Sequence, residues 1–164
     1  MIFVTTGTHP VSFDRLILAM ENFAGESDEQ VIIQAGTSKI PIQHAQHLTF
    51  IAWDEALQYI QSARVVVTHA GVGTIIDAIS VNVPVVVWPR LAHYGEVINN
   101  HQLELAEVLS KQGRITQVNN AEELYAALKH DNLPLPRDTN ERNSPLVQAI
   151  RASLSIRRKE KSRG

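Results

Sequence analysis

Residues 63–96 read ARVVVTHAGVGTIIDAISVNVPVVVWPRLAHYGE, and the fold follows from how this stretch is parsed. Positions 64–68 are a mostly β-branched run without a turn residue, which suits a strand buried on both faces. Gly71 and Gly73 interrupt it, residues 74–81 regain helical character, and Pro84 cannot continue a helix. Residues 85–88 form a second buried-strand signature, closed by Pro89. The result is a parallel β-α-β crossover. Such a unit brings His69, the 71–74 turn and the first N–H groups of the helix to the carboxyl end of the sheet. The 89–96 loop emerges at that same edge, where open α/β sheets hold their ligands. Free N–H groups and the positive helix end make the turn a natural anion site. The same glycines equally suit a tight turn with no ligand.

Working outward, the alternation continues. Residues 2–5 read as a buried first strand followed by the loop Thr6-Gly7-Thr8-His9-Pro10. Phe13, Leu16, Ile17, Met20 and Phe23 keep helical spacing, with Ser12 or Asp14 as cap and Gly25 as stop. Strands follow at 31–34 and 48–52, and the stretch 44–47 between them is too polar to show either period. A short helix capped by Asp54 runs through Ile60 into the central unit. Beyond it come a helix over 96–112 stopped by Gly113, a strand over 114–118, and a helix over 121–129 behind an Asn119-Asn120 cap. Residues 131–145 hold three prolines and read as a linker, and 146–156 as a last helix capped by Ser144. Six strands alternating with helices predict a single α/β domain over 1–130, a Rossmann-like, doubly wound parallel sheet.

The 164 residues suffice for one domain with a sizeable core. A net charge of −2 gives no reason to expect a nucleic-acid partner. The absence of cysteine removes disulfides and thiolate metal sites. No apolar run approaches the roughly 20 residues that span a bilayer, and the amino terminus does not read as a signal peptide. The basic residues Arg157, Arg158, Lys159, Lys161 and Arg163 crowd the end of the chain. They suit either a solvated terminus or contact with anionic lipid.

Several chemistries are absent from the sequence. There is no P-loop, no G-x-S-x-G elbow, no Asp-x-Asp pair, and no metal-binding histidine spacing. Gly71-x-Gly73 is followed by Ile76 where a dinucleotide fold needs a third small residue. What remains is an anion site with hydroxyls, amides and one or two carboxylates around it. Asp77, three residues past Thr74, is placed to accept both hydroxyls of a ribose whose phosphate lies on the helix end. It also suits an exposed helix position. His101 and Gln102 stand where an amide can read sugar hydroxyls or simply face solvent. Arg90 is placed to balance phosphate charge or to sit on the surface.

HAGVGT at 69–74, the run 84–90, and YGE at 94–96 continuing to NHQLELA at 100–106 together resemble the C-terminal, nucleotide-sugar-binding half of family 28 glycosyltransferases. The opening FVTTGTHPVSFDRLI at 3–17 resembles the start of the short stand-alone members. Those include the catalytic subunit of the split dolichol-pathway N-acetylglucosaminyltransferase and bacterial exopolysaccharide-building subunits. The resemblance covers about residues 1–117.

It implies one half of a GT-B fold that binds a UDP-sugar without a metal or other cofactor. The sugar would pass with inversion to a polyprenyl-diphosphate-linked acceptor, together with a membrane-anchored acceptor-domain subunit at the cytoplasmic membrane face. Self-association is left open. By alignment, Gly71, Val72, Gly73 and Thr74 contact phosphate, Asp77 stands for a usual glutamate that grips the ribose, His101 and Gln102 contact the donor sugar, and Thr6, Gly7 and Thr8 line the diphosphate. His9 replaces a more usual small polar residue. A general base must deprotonate the acceptor hydroxyl. The partner is its expected source, with His9 or His93 on the carboxyl-edge loops as the alternative. A non-catalytic nucleotide-sugar-binding or scaffold subunit is a second reading, and a hydrolase or epimerase on the same fold a third.

Overall fold

The computed structural model describes residues 1–130 and 133–136. Strands β1 (Ile2–Thr5), β2 (Val31–Gln34), β3 (Gln46–Leu48), β4 (Val65–Thr68), β5 (Val85–Val87) and β6 (Thr116–Gln117) form one parallel sheet in the order β3-β2-β1-β4-β5-β6. The chain winds outward from β1 in one direction and from β4 in the other. The carboxyl ends of these two neighbours are therefore the topological switch point, where opposite-going connections leave a crevice.

Strands β1, β2, β4 and β5 are short but fully buried, and alternate side chains divide two cores. Ile2, Val4, Val31, Ile33, Val65, Val67 and Val86 pack beneath α1 (Asp14–Glu26) and α5 (Ala121–Lys129). Phe3, Ile32, Val66, Val85 and Val87 pack beneath α2 (Trp53–Ser62), α3 (Val72–Ser80) and α4 (His101–Lys111). Period-2 alternation in strands that are apolar on both faces is what a two-layered cover requires.

The doubly wound sheet stands as the sequence predicts, with corrections at several boundaries. The third strand lies at 46–48 rather than 48–52: it is an edge strand with exposed Gln46 and His47, so it needs no apolar run. Gly25 does not stop α1, which continues to Glu26. A Cβ at Gly25 would stand 3.3 Å from the His44 ring, so the glycine admits the 43–45 loop. That loop is pinned from the previous turn, where Glu21 accepts the N–H groups of Gln43 (2.7 Å), His44 (2.8 Å) and Ala45 (3.3 Å). Burial pushes the Glu21 carboxyl up, but these bonds outweigh it and hold it below the usual carboxylate range.

Neither Ser12 nor Asp14 caps α1, and Asp54 does not cap α2; the cap positions are Phe13 and Ala52. Asn120 does cap α5, accepting from the Glu123 N–H at 2.8 Å while Glu123 reaches back to the Asn119 N–H. The expected final helix, the basic tail and most of the 131–145 linker lie outside the described residues; within the linker, Leu133 packs against the first core.

Candidate functional site

Helix α3 begins at Val72, two residues earlier than its sequence suggests, with Gly71 as its cap. The Ile75 N–H is the first to find a helical partner, the Gly71 carbonyl at 3.2 Å. The N–H groups of Val72, Gly73 and Thr74 are thus unpaired among the described residues, at the positive end of a nine-residue helix. Gly73 has open space where its Cβ would be.

Across the switch point lies the loop after β1. Gly7 has φ +70°, in the left-handed region that glycine enters without penalty. His69 fills the space between the two turns. A Cβ on Gly7 or on Gly71 would stand 2.6 Å from its Cε1, so both glycines exist to admit the ring. Burial, reinforced by the charges of Arg90 and His9, pushes the His69 pKa down to about 4 against a weak opposing bond with the Thr5 backbone. His69 is therefore neutral at pH 7. It shapes the floor of the crevice and brings no charge to it.

One turn into α3, Asp77 accepts a 2.9 Å hydrogen bond from the indole of Trp53, which is 60% exposed at the start of α2. The helices that follow β3 and β4 thus join an open indole face to a carboxylate near the 71–74 turn. Trp53 was absent from the sequence-derived candidates. Its signal was a large aromatic residue on a loop at the carboxyl edge, where the core has no need of it.

The loop after β5 is tied to the rest by polar bonds. Arg90 is fully buried and donates to the carbonyls of Val11 and Ser12 (2.9 Å each) and Thr6 (3.3 Å). The expected alternatives for Arg90, phosphate contact or surface residue, meet a different geometry: its guanidinium is spent on backbone. Glu96, expected to open a helix over 96–112, lies before α4 and is buried. Arg15 holds it through two bonds (2.7 and 2.9 Å) and reaches the Pro89 carbonyl (2.5 Å), its guanidinium lying within 5.0 Å of the Phe13, Trp88 and Tyr94 rings. An ion pair at 81 residues' separation leaves no trace in local spacing.

Gln102 accepts the Arg90 N–H at 3.3 Å, which fixes its amide so that the NH2 group is the end left to donate. His101 is exposed and paired with Glu104 at 3.1 Å. His93 is exposed against Tyr94. His9 accepts the Val11 N–H at 3.2 Å. Of the residues singled out from sequence, Thr6, Gly7, His69, Gly71, Arg90 and Gln102 form one connected cluster. Val72, Gly73, Thr74 and Asp77 lie along α3 beside it; Thr8 and His9 follow Gly7 in the loop after β1, and His101 is exposed at the start of α4. Among the described residues no three His, Asp or Glu side chains converge as a metal site.

The model of the glycosyltransferase family 28 C-terminal domain matches residues 1–155. The chain belongs to that family. The human UDP-N-acetylglucosamine transferase subunit ALG13 is 30% identical to this family 28 domain over 125 residues, which are 70% of the domain and 10% of that protein. The chain therefore spans about a tenth of that relative. Among solved structures, Acinetobacter baumannii MurG superimposes with a TM-score of 0.61 at 18% identity, over 81% of this chain and 42% of that one. The solution structure of ALG13 gives 0.57 at 19% identity, over 85% and 90%. At these identities the two structures speak for the fold of the family 28 domain, half of a GT-B architecture. No helix among the described residues is long and apolar enough to cross a membrane.

Proposed function

We propose that this chain is the donor-binding subunit of a glycosyltransferase that takes a UDP-sugar. The observation that carries the reading is the set of unpaired N–H groups at Val72, Gly73 and Thr74 facing the Gly7 loop, with Asp77 and Trp53 one turn away. The diphosphate lies on those N–H groups, the ribose hydroxyls on Asp77, and the base against the open face of Trp53. The locked Gln102 amide, with His101, donates to sugar hydroxyls.

In the transfer the acceptor hydroxyl attacks the anomeric carbon from the face opposite the leaving group. The bond from that carbon to the diphosphate oxygen breaks, UDP departs with the electron pair, and the configuration inverts. The chain's part is to hold growing negative charge with N–H donors already in place, which needs no reorganisation as the bond breaks. It does so with no metal ion. The hydroxyl proton goes to a base supplied by a membrane-anchored partner that also presents a lipid-linked acceptor, at the inner face of the membrane and in polysaccharide or glycolipid assembly. His9 is this chain's own candidate for the base, because it follows Gly7 in the loop after β1.

The test is calorimetric titration of the full chain with UDP in EDTA, beside Asp77→Ala. Metal-independent binding weakened by about tenfold or more in the variant is the expected outcome. No binding, or unchanged binding in Asp77→Ala, refutes the assignment of the site.

A further inference from the structure

Arg90 is 0% exposed, yet no carboxylate among the described residues ion-pairs with it. The acids whose charge reaches it are otherwise engaged: Glu96 is held by Arg15, and Asp14 accepts the Ser38 hydroxyl. Its Nε has no partner among the described residues. A buried cation without a counter-ion is unusual and costly to maintain. An arginine stays charged in such a place because its intrinsic pKa is so high.

What Arg90 does hold is backbone, and it shares the task with a second buried polar side chain. Gln34, 4% exposed at the end of β2, donates from Nε2 to the carbonyls of Gly7 (3.2 Å) and Thr49 (3.1 Å) and accepts the Thr5 hydroxyl on Oε1. Arg90 takes the carbonyl of Thr6 and Gln34 that of Gly7. In a trans peptide the N–H points opposite to its own carbonyl. With the Gly7 carbonyl turned inward, the Thr8 N–H is turned outward, and it has no partner among the described residues. The preceding N–H, that of Gly7, is bound back to the Thr5 hydroxyl at 3.1 Å.

We propose that Arg90 and Gln34 are positioning residues for the diphosphate. They hold the loop's carbonyls inward so that the Thr8 N–H faces the ligand, and the unpaired Arg90 charge beneath the loop supplies part of the field that holds the anion. This rests on the donor-site reading and adds to it two residues that touch no ligand.

The experiment titrates the full chain with UDP and with uridine, which carries no phosphate, in the parent, Arg90→Met, Arg90→Lys and Gln34→Met, with a thermal melt for each. The parent should bind UDP more tightly than uridine. Arg90→Met and Gln34→Met should weaken UDP by about tenfold or more while uridine stays within about twofold. Arg90→Lys, which keeps the charge but cannot span three carbonyls, should fall between. Should Arg90→Met fail to fold, the lysine and Gln34→Met variants decide alone. Equal loss for UDP and uridine, or unchanged UDP affinity in the folded variants, overturns the proposal. A parent that binds uridine as tightly as UDP overturns it too, and a parent that binds neither removes the donor-site reading itself.

Discussion

Alanine at Gly71 is the most direct probe of the packing beneath the 71–74 turn. Its φ of −79° suits any residue, so backbone strain does not enter. The added Cβ would stand 2.6 Å from His69 Cε1, far inside contact distance. The ring cannot simply swing away, because His69 is 9% exposed and Gly7 closes on it as well. Overpacking of this kind costs about 1–3 kcal/mol. At Gly7 the same 2.6 Å clash combines with φ +70°, and a left-handed alanine adds about 1–2 kcal/mol. Removing the ring separates the two causes. In a His69→Ala background Gly71→Ala should cost under about 0.5 kcal/mol, whereas Gly7→Ala should still cost about 1–2 kcal/mol. Urea unfolding of the single and double variants yields the coupling directly. A Gly71→Ala variant as stable as the parent, or one whose cost is the same with and without the ring, refutes the stacked arrangement.

Other expectations follow from single features of the structure. His69, at 6.5 when unfolded and about 4 when folded, leaves stability complete above pH 6.5 and removes about 3 kcal/mol as the pH falls to about 4, since the unfolded chain takes up the proton first; urea unfolding across that window should lose this slope in His69→Gln. Glu96→Gln or Arg15→Met breaks a mostly buried pair and should cost about 2 kcal/mol in the same assay, and a cost near zero would mean the pair does not hold the loop. Asn120→Ala removes the cap of α5 and should cost about 1 kcal/mol, read as a lower urea midpoint. Trp53→Ala removes a stacking face worth about 1–3 kcal/mol, so UDP and uridine should both bind more weakly by calorimetry, and unchanged affinity for both would exclude Trp53 from the base subsite.

Local pattern carried the architecture because its signals are local. β-branched runs such as 65–67 and 85–87, broken by Gly71, Pro84 and Pro89, define strands, turns and a crossover without reference to anything distant. The glycine turn and the place of Asp77 on the helix behind it were legible for the same reason, since all lie within one strand-turn-helix unit. Polar edge strands and irregular loops gave weaker signals, which is why β3 moved by two residues and the helix after β5 starts at His101 instead of Glu96.

The sequence by itself determined that this chain builds a doubly wound sheet with a glycine turn and a helix N-terminus at its carboxyl edge, because alternation, breakers and helix ends are properties of neighbours along the chain. Only the tertiary structure decided what the polar residues are for. His69 between two glycines, Arg90 and Gln34 beneath the Gly7 loop, Arg15 on Glu96 and Trp53 on Asp77 are meetings across 24 to 84 residues or between separate loops. Spacing cannot encode such meetings; they exist once burial against a common sheet has brought the loops to one edge and left each polar group to find a partner there.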